Sequence, residues 1–301
     1  MQEGGAQEGS AREGGAGEVE PQPPGPPPRE AEWRPLCERP RLFHCRDFLT
    51  PEECEAVVLG ARAAAPQSLG VEGQAKLRVD LRETSPAPPG RPDAAVLRSV
   101  SRRVAALTGE ERRMSLGLHV DTNNCRDRRF VTFLIYLRTT PASHGGHTVF
   151  PLAVRPGRPE PRGRRAQRLL RAGEVLLAAG VQHTGSGANP NLGPEVLDAT
   201  GLLLAHAEGL ARRAAGLEGP VWEPCGVGLA VPPERGSCVA FFTRSDAVGG
   251  AVDPRSWHGG AAVAAGGKWT LQKFREAPAE KIRRCCIESF AAQHASLRPG
   301  C

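Results

Sequence analysis

The chain has 301 residues and a formal net charge of +6, with 40% hydrophobic and 24% charged residues. That length leaves room for one sizeable core, and no run approaches the roughly 20 consecutive apolar residues of a membrane-spanning helix. The nine cysteines are odd in number, scattered and without a C-x-x-C pair, which speaks against a disulfide framework and for reduced thiols.

Residues 1–31 are Gly, Glu, Ala and Pro with almost no large apolar side chain. Such a segment cannot bury enough surface to offset its ordering entropy, so a disordered tail is expected, reaching to about residue 38. Its Pro-rich part, residues 21–28, reads as a stiff linker before it reads as a ligand for a proline-binding module. No basic-then-apolar leader opens the sequence, so a cytoplasmic or nuclear location is expected.

Thr50-Pro51-Glu52-Glu53 offers a capping hydroxyl, a proline at the first helical position and a glutamate at the third, the signature of a helix start. Cys54, Val57, Val58 and Ala61 follow at helical spacing, and the helix must end before Pro66. Residues 76–82 alternate weakly, as a strand would. A second helix is expected after Asp93, with Leu97, Val100, Val104 and Leu107 on one face and Gly109 as its stop.

From Leu116 the pattern changes. Residues 129–137 are β-branched and aromatic, and too apolar for a one-sided surface strand, so they read as a strand buried on both faces. Gly145-Gly146 marks a tight turn, and residues 147–151 a short returning strand. Two helical stretches, around 164–179 and 194–215, then interrupt the β pattern, and an arginine excess between Arg155 and Arg171 reads as a solvated basic loop. No aromatics alternate with those arginines, as a platform for single-stranded nucleic acid would require. Strand character resumes at 227–231, 237–242 and 269–274, and a last helix is expected over 279–295. Helices followed by many short strands predict an α+β domain over residues 39–276 with a jelly-roll-like core, N-terminal flanking helices and a helical insertion at about 155–226. Residues 277–301 form a C-terminal helix or tail.

His119-Val120-Asp121 sets an imidazole and a carboxylate two residues apart, and in an extended segment both point to one side. An H-x-D triplet arises often by chance, and a facial triad needs a second histidine from elsewhere. His258, in Ser256-Trp257-His258-Gly259-Gly260, is a candidate, although a turn histidine beside glycines is the blander account. Lys268 follows ten residues later, at the start of a strand that can run back beside the ligand segment. His144, His147 and His183 invite a second-metal reading, but an exposed loop explains His144 and His147 more simply. Cys285, Cys286 and Cys301 receive no role.

Taken together, residues 42–276 resemble the catalytic domain of the prolyl 4-hydroxylases among the Fe(II)/2-oxoglutarate-dependent dioxygenases. The resemblance rests on Phe48-Leu49-Thr50-Pro51-Glu52-Glu53-Cys54, Arg82-Glu83-Thr84-Ser85 and His119-x-Asp121. It continues through Arg129-x-x-Thr132 to Tyr136-Leu137, Gly145-Gly146-x-Thr148-Val149-Phe150-Pro151, His258-Gly259-Gly260 and Lys268-Trp269. It implies a double-stranded β-helix (jelly-roll, cupin-like) fold, with His119, Asp121 and His258 ligating Fe(II) and Lys268 pairing with the distal carboxylate of 2-oxoglutarate. Thr132, on the strand face of Tyr136, would lie next to that carboxylate. The charges of iron, Asp121, 2-oxoglutarate and Lys268 then cancel, as a buried site requires. The implied co-reactants are Fe(II), 2-oxoglutarate, O2 and ascorbate, and the implied products are succinate, CO2 and a hydroxylated prolyl residue of a protein or peptide.

Two departures qualify the resemblance. Tyrosines common in that family shortly before the H-x-D are replaced by Met114-Ser115-Leu116-Gly117-Leu118, and Tyr136 is the only tyrosine of the chain. The helical insertion is the other departure, placed where it would act as a lid or docking surface. Other readings are an oxygenase for a different peptidyl residue or small molecule, and a binding module that kept the fold without activity. Nucleic-acid demethylation is disfavoured, because those relatives hold 2-oxoglutarate with arginine. The oligomeric state is not legible.

Overall fold

The computed structural model describes residues 32–64, 118–121, 129–157, 161, 163–184, 193–244, 252–265 and 267–276. The tail over 1–31, the strand at 76–82, the motif at 82–85, the helix after Asp93, the helix at 279–295 and Cys285, Cys286 and Cys301 lie outside the described residues.

Helix α1, Pro51–Ala64, begins as the capping pattern requires. The Thr50 hydroxyl accepts the Glu53 N–H at 3.2 Å, and the Glu53 carboxylate accepts the Thr50 N–H at 2.9 Å, so two otherwise unpaired donors of the first turn are satisfied reciprocally. Cys54, Val57 and Val58 are buried against Val131, Phe133 and Ile135, which form the outer face of strand β3, Arg129–Tyr136. The other face of β3 is buried too, with Leu134 and Tyr136 in a second cluster, which is why its sequence lacks polar alternation.

Strand β3 lies inside a five-stranded antiparallel sheet with β1 Arg34–Cys37, β2 Leu42–Cys45, β7 Cys238–Phe242 and β9 Thr270–Glu276, in the order β1-β2-β7-β3-β9. A four-stranded antiparallel sheet pairs β4 Thr148–Val154, β5 Val221–Trp222, β6 Val227–Val231 and β8 Gly259–Gly260 in the order β5-β6-β4-β8. The two sheets pack face to face. Leu42, Leu134, Tyr136, Val239 and Phe241 of the first meet Phe150, Leu229 and Val231 of the second, and the Phe150 and Phe241 rings stand 5.1 Å apart nearly edge to face.

Helices α2, Arg164–Ala178, and α3, Pro194–Ala214, cover the back of the four-stranded sheet. Leu169, Leu176, Leu177, Leu203 and Leu210 are fully buried there with Leu152, Val227 and Trp257. At about 1.5–3 kcal/mol for each fully buried leucine, this layer is a substantial part of the core. The expected insertion also contained β5, which pairs with β6 and so belongs to the sheet. Residues 34–37, which the tail expected to reach residue 38 would include, form β1. That strand is a mostly exposed edge held by backbone pairing to β2, so it carries no apolar alternation to announce it. No helix among the described residues is long and apolar enough to cross a membrane.

Candidate metal centre

His119 and Asp121 sit on a four-residue extended segment, residues 118–121, clamped from both sides. On one side His119 N–H bonds to the His258 carbonyl at 2.8 Å, and His258 N–H to the His119 carbonyl at 3.0 Å. On the other side Val120 N–H bonds to the Gln182 carbonyl at 3.1 Å, and Thr184 N–H to the Leu118 carbonyl at 2.9 Å. Leu118 and Val120 point into the helical layer. Alternation therefore turns His119 and Asp121 the opposite way, and His258, paired directly with His119, joins them on that side.

Ligand atoms of His119, Asp121 and His258 all lie within 4.8 Å of one another, and all three residues are buried. His119 Nε2 is 3.4 Å from Asp121 Oδ1, and His258 Nε2 is 3.7 Å from Asp121 Oδ2. His258 Nδ1 meets the Ser256 carbonyl at 2.9 Å, which makes Nδ1 the donor and leaves the Nε2 lone pair facing Asp121. The Thr132 hydroxyl donates to Asp121 Oδ2 at 2.5 Å. Burial alone would raise the Asp121 carboxyl, but His258, His119 and Thr132 outweigh it and hold it at about 2. Burial, reinforced by His119, lowers His258 to about 4 against the pull of Asp121. The cluster thus presents neutral imidazole and an ionised carboxylate, a donor set that fits a divalent transition metal with coordination positions left open. Among the described residues no other group of histidine, cysteine, aspartate or glutamate has metal-holding geometry.

Lys268 lies outside the cluster, close enough for its charge to act on His258. Its Nζ donates to the Thr148 hydroxyl at 3.1 Å and lies 5.5 Å from the centre of the Tyr136 ring. Tyr136 donates to the same hydroxyl at 2.7 Å, and burial raises its own phenol. A Cβ at Gly260, two residues beyond His258, would lie in ordinary contact with Lys268 Nζ at 3.8 Å, so β8 runs beside the ammonium. Burial lowers the lysine to about 7, and among the described residues no carboxylate pairs with it.

Thr132 and Tyr136 share a strand face, and their hydroxyls have different partners, Asp121 and Thr148. Thr132 is bonded to Asp121, and the threonine beside Lys268 is Thr148. Sequence reading passed over Thr148 although it stands in the Gly-Gly-x-Thr segment. Its signal was alternation, since it shares the inward face of β4 with Phe150. His147 is fully buried rather than in an exposed loop, because its carbonyl already accepts Ala261 N–H at 2.8 Å as the β4–β8 pairing begins. His183 is exposed and bridges His119 in the backbone, with ring centres 6.0 Å apart. The five described cysteines, Cys37, Cys45, Cys54, Cys225 and Cys238, are free.

No family model matches the chain, and no curated protein matches it. Among solved structures 31 chains match. One is a viral collagen prolyl hydroxylase from Paramecium Bursaria Chlorella virus-1, with a TM-score of 0.40, 12% identity, and coverage of 83% of this chain and 97% of that one. A likeness that loose carries no argument about function.

Proposed function

We propose that the chain is an Fe(II)- and 2-oxoglutarate-dependent oxygenase that hydroxylates a prolyl residue of a protein or peptide. The observation that carries this reading is a metal-holding cluster with a buried lysine near enough to act on one of its histidines. A buried His119–Asp121–His258 cluster faces the same sheet interior as a lysine ammonium that has no carboxylate partner among the described residues. A cation-holding group beside an unpaired cation suits a ligand that is both a chelator and an anion, and 2-oxoglutarate is both. The two face-to-face antiparallel sheets are compatible with a double-stranded β-helix core.

His119, Asp121 and His258 would hold Fe(II), which together with 2-oxoglutarate and O2 supplies the oxidising chemistry. The protein's own residues orient and exclude. Thr132 fixes one Asp121 oxygen, and the Ser256 carbonyl fixes the His258 tautomer. Lys268 and Thr148 offer two donors to the distal carboxylate, with Tyr136 holding the Thr148 hydroxyl in place. Phe150 and Phe241 pack on His258, with ring centres 5.7 and 4.4 Å away, and keep water from that side. The extended shape of a peptide suits an open-ended sandwich, and proline as its target rests on the sequence motifs.

The test incubates iron-loaded protein with 2-oxoglutarate, ascorbate and proline-rich peptides, and follows succinate together with peptide mass. Succinate with a peptide gain of one oxygen atom at proline supports the proposal. Succinate without peptide oxidation moves the substrate to another residue or a small molecule. Neither product from a metal-loaded protein leaves a binding module.

A further inference from the structure

Helix α2 belongs to the segment that departs most from the resembled family, yet the helix and the residues that follow it touch both segments that carry the candidate ligands. Its C-terminal end closes with Gly180 at φ 77°. Gly180 N–H bonds to the Leu177 carbonyl at 2.9 Å and Val181 N–H to the Leu176 carbonyl at 2.8 Å, the pair of bonds that defines a Schellman stop. This stop delivers residues 181–184 directly onto the His119–Asp121 segment. There Gln182 and Thr184 make the two backbone bonds described above, and the Thr184 hydroxyl adds a third at 3.2 Å to the Leu118 carbonyl.

The middle of the same helix reaches the other ligand. Gly173 is buried in α2, and its carbonyl accepts the Trp257 indole N–H across a long 3.4 Å. Trp257 is fully buried and immediately precedes His258. A Cβ at Gly173 would collide with Leu152 Cδ1, and would lie 3.3 Å from the Pro254 carbonyl oxygen and 3.4 Å from Trp257 Cδ1. The Pro254–Ser256 turn in turn supplies the carbonyl that orients the His258 ring. Gly201 and Gly209 in α3, by contrast, have nothing within 4 Å of such a Cβ. Glycine weakens a helix interior relative to alanine, and at Gly173 the close approach of three neighbours explains its presence.

We propose that α2 is the frame of the metal centre, with Gly173 and Trp257 as positioning residues that set His258 and with Thr184 setting the His119–Asp121 segment. This rests on the metal reading above. The helical segment then acts on the site from behind the sheet, through ligand geometry rather than by covering substrate.

The test is Co(II) binding to the full chain, read by the visible ligand-field spectrum and the dissociation constant, with melting temperature measured in parallel. Gly173→Ala and Trp257→Phe should each weaken Co(II) binding about 10- to 100-fold, the range found for residues that orient metal ligands, and change the spectrum. Thr184→Val should do so about tenfold or less. Gly201→Ala and Gly209→Ala should raise the melting temperature and leave both metal readouts unchanged. Trp257→Phe keeps an aromatic filler, so it remains informative if Gly173→Ala does not fold. Wild type that binds Co(II) together with folded variants that bind equally well, with the same spectrum, would overturn the frame alone. Wild type that binds no Co(II) would overturn the metal reading and the frame with it.

Discussion

The two ends of the cleft solve the problem of buried charge in opposite ways. At the metal end the Asp121 carboxylate and the His258 ring are answered from within the chain. Asp121 has Thr132 and two imidazoles, and His258 has the Ser256 carbonyl. At the other end Lys268 has, among the described residues, a hydroxyl and an aromatic face beside it and no carboxylate. An ammonium in that setting is unfavourable, and it responds by losing proton affinity, down to about 7. On the proposed function the first end is preorganised for a cation, whereas the second would stay incomplete until its anion is bound. Preorganisation there holds a geometry, while incompleteness here selects a charge.

The largest effect that separates the two ends is expected from Asp121→Ala. It removes the only carboxylate of the cluster and should abolish Fe(II) or Co(II) binding measured by equilibrium dialysis, with the fold retained by circular dichroism. Lys268→Ala should do the converse, leaving metal binding unchanged and raising the Michaelis constant for 2-oxoglutarate by two orders of magnitude or more. Losing one partner of a buried pair costs about 3–5 kcal/mol, and each ~1.4 kcal/mol is tenfold. Lys268→Arg should restore only part of this, because a planar guanidinium needs a different approach. Unchanged 2-oxoglutarate dependence in the alanine variant would remove Lys268 from the site.

A smaller pair of effects sharpens the division between two threonines. Each makes one side-chain hydrogen bond to a charged group, worth about 1.5–3 kcal/mol. Thr148→Val should weaken 2-oxoglutarate roughly tenfold or more and spare the metal. Thr132→Val should weaken the metal by a similar factor and spare 2-oxoglutarate in the metal-saturated protein. Crossed results would show that the strand face, and not the cleft end, decides what each threonine does.

Local signals made part of this legible from sequence. The Thr50–Glu53 capping box and the unbroken apolar run of β3 are properties of a few adjacent residues, and the structure reproduces them. Strands β5 and β8 have two residues each, too few for a periodicity to exist, and β8 is Gly-Gly, which reads as a turn. His147 looked like a loop residue because it follows two glycines, whereas its backbone already pairs with Ala261, a partner distant in sequence. The division of Thr132 from Thr148 depends on which sheet lies across the cleft. Alternation can place a residue on a face, but it cannot say what stands opposite.

The most direct test is calorimetric titration of 2-oxoglutarate into the metal-loaded protein, anaerobically at pH 8, in buffers of different ionisation enthalpy. In the empty protein burial lowers Lys268 from 10.5 to about 7, so at pH 8 it is mostly neutral. A carboxylate beside it favours the charged form, so binding must take up a proton. The account predicts uptake approaching one proton per 2-oxoglutarate, with affinity falling up to tenfold per pH unit above 7, and uptake lost in Lys268→Ala. Absence of binding, or binding with no proton uptake and no pH dependence in this window, would contradict the claim that this cleft pairs a metal with a dicarboxylate held by Lys268.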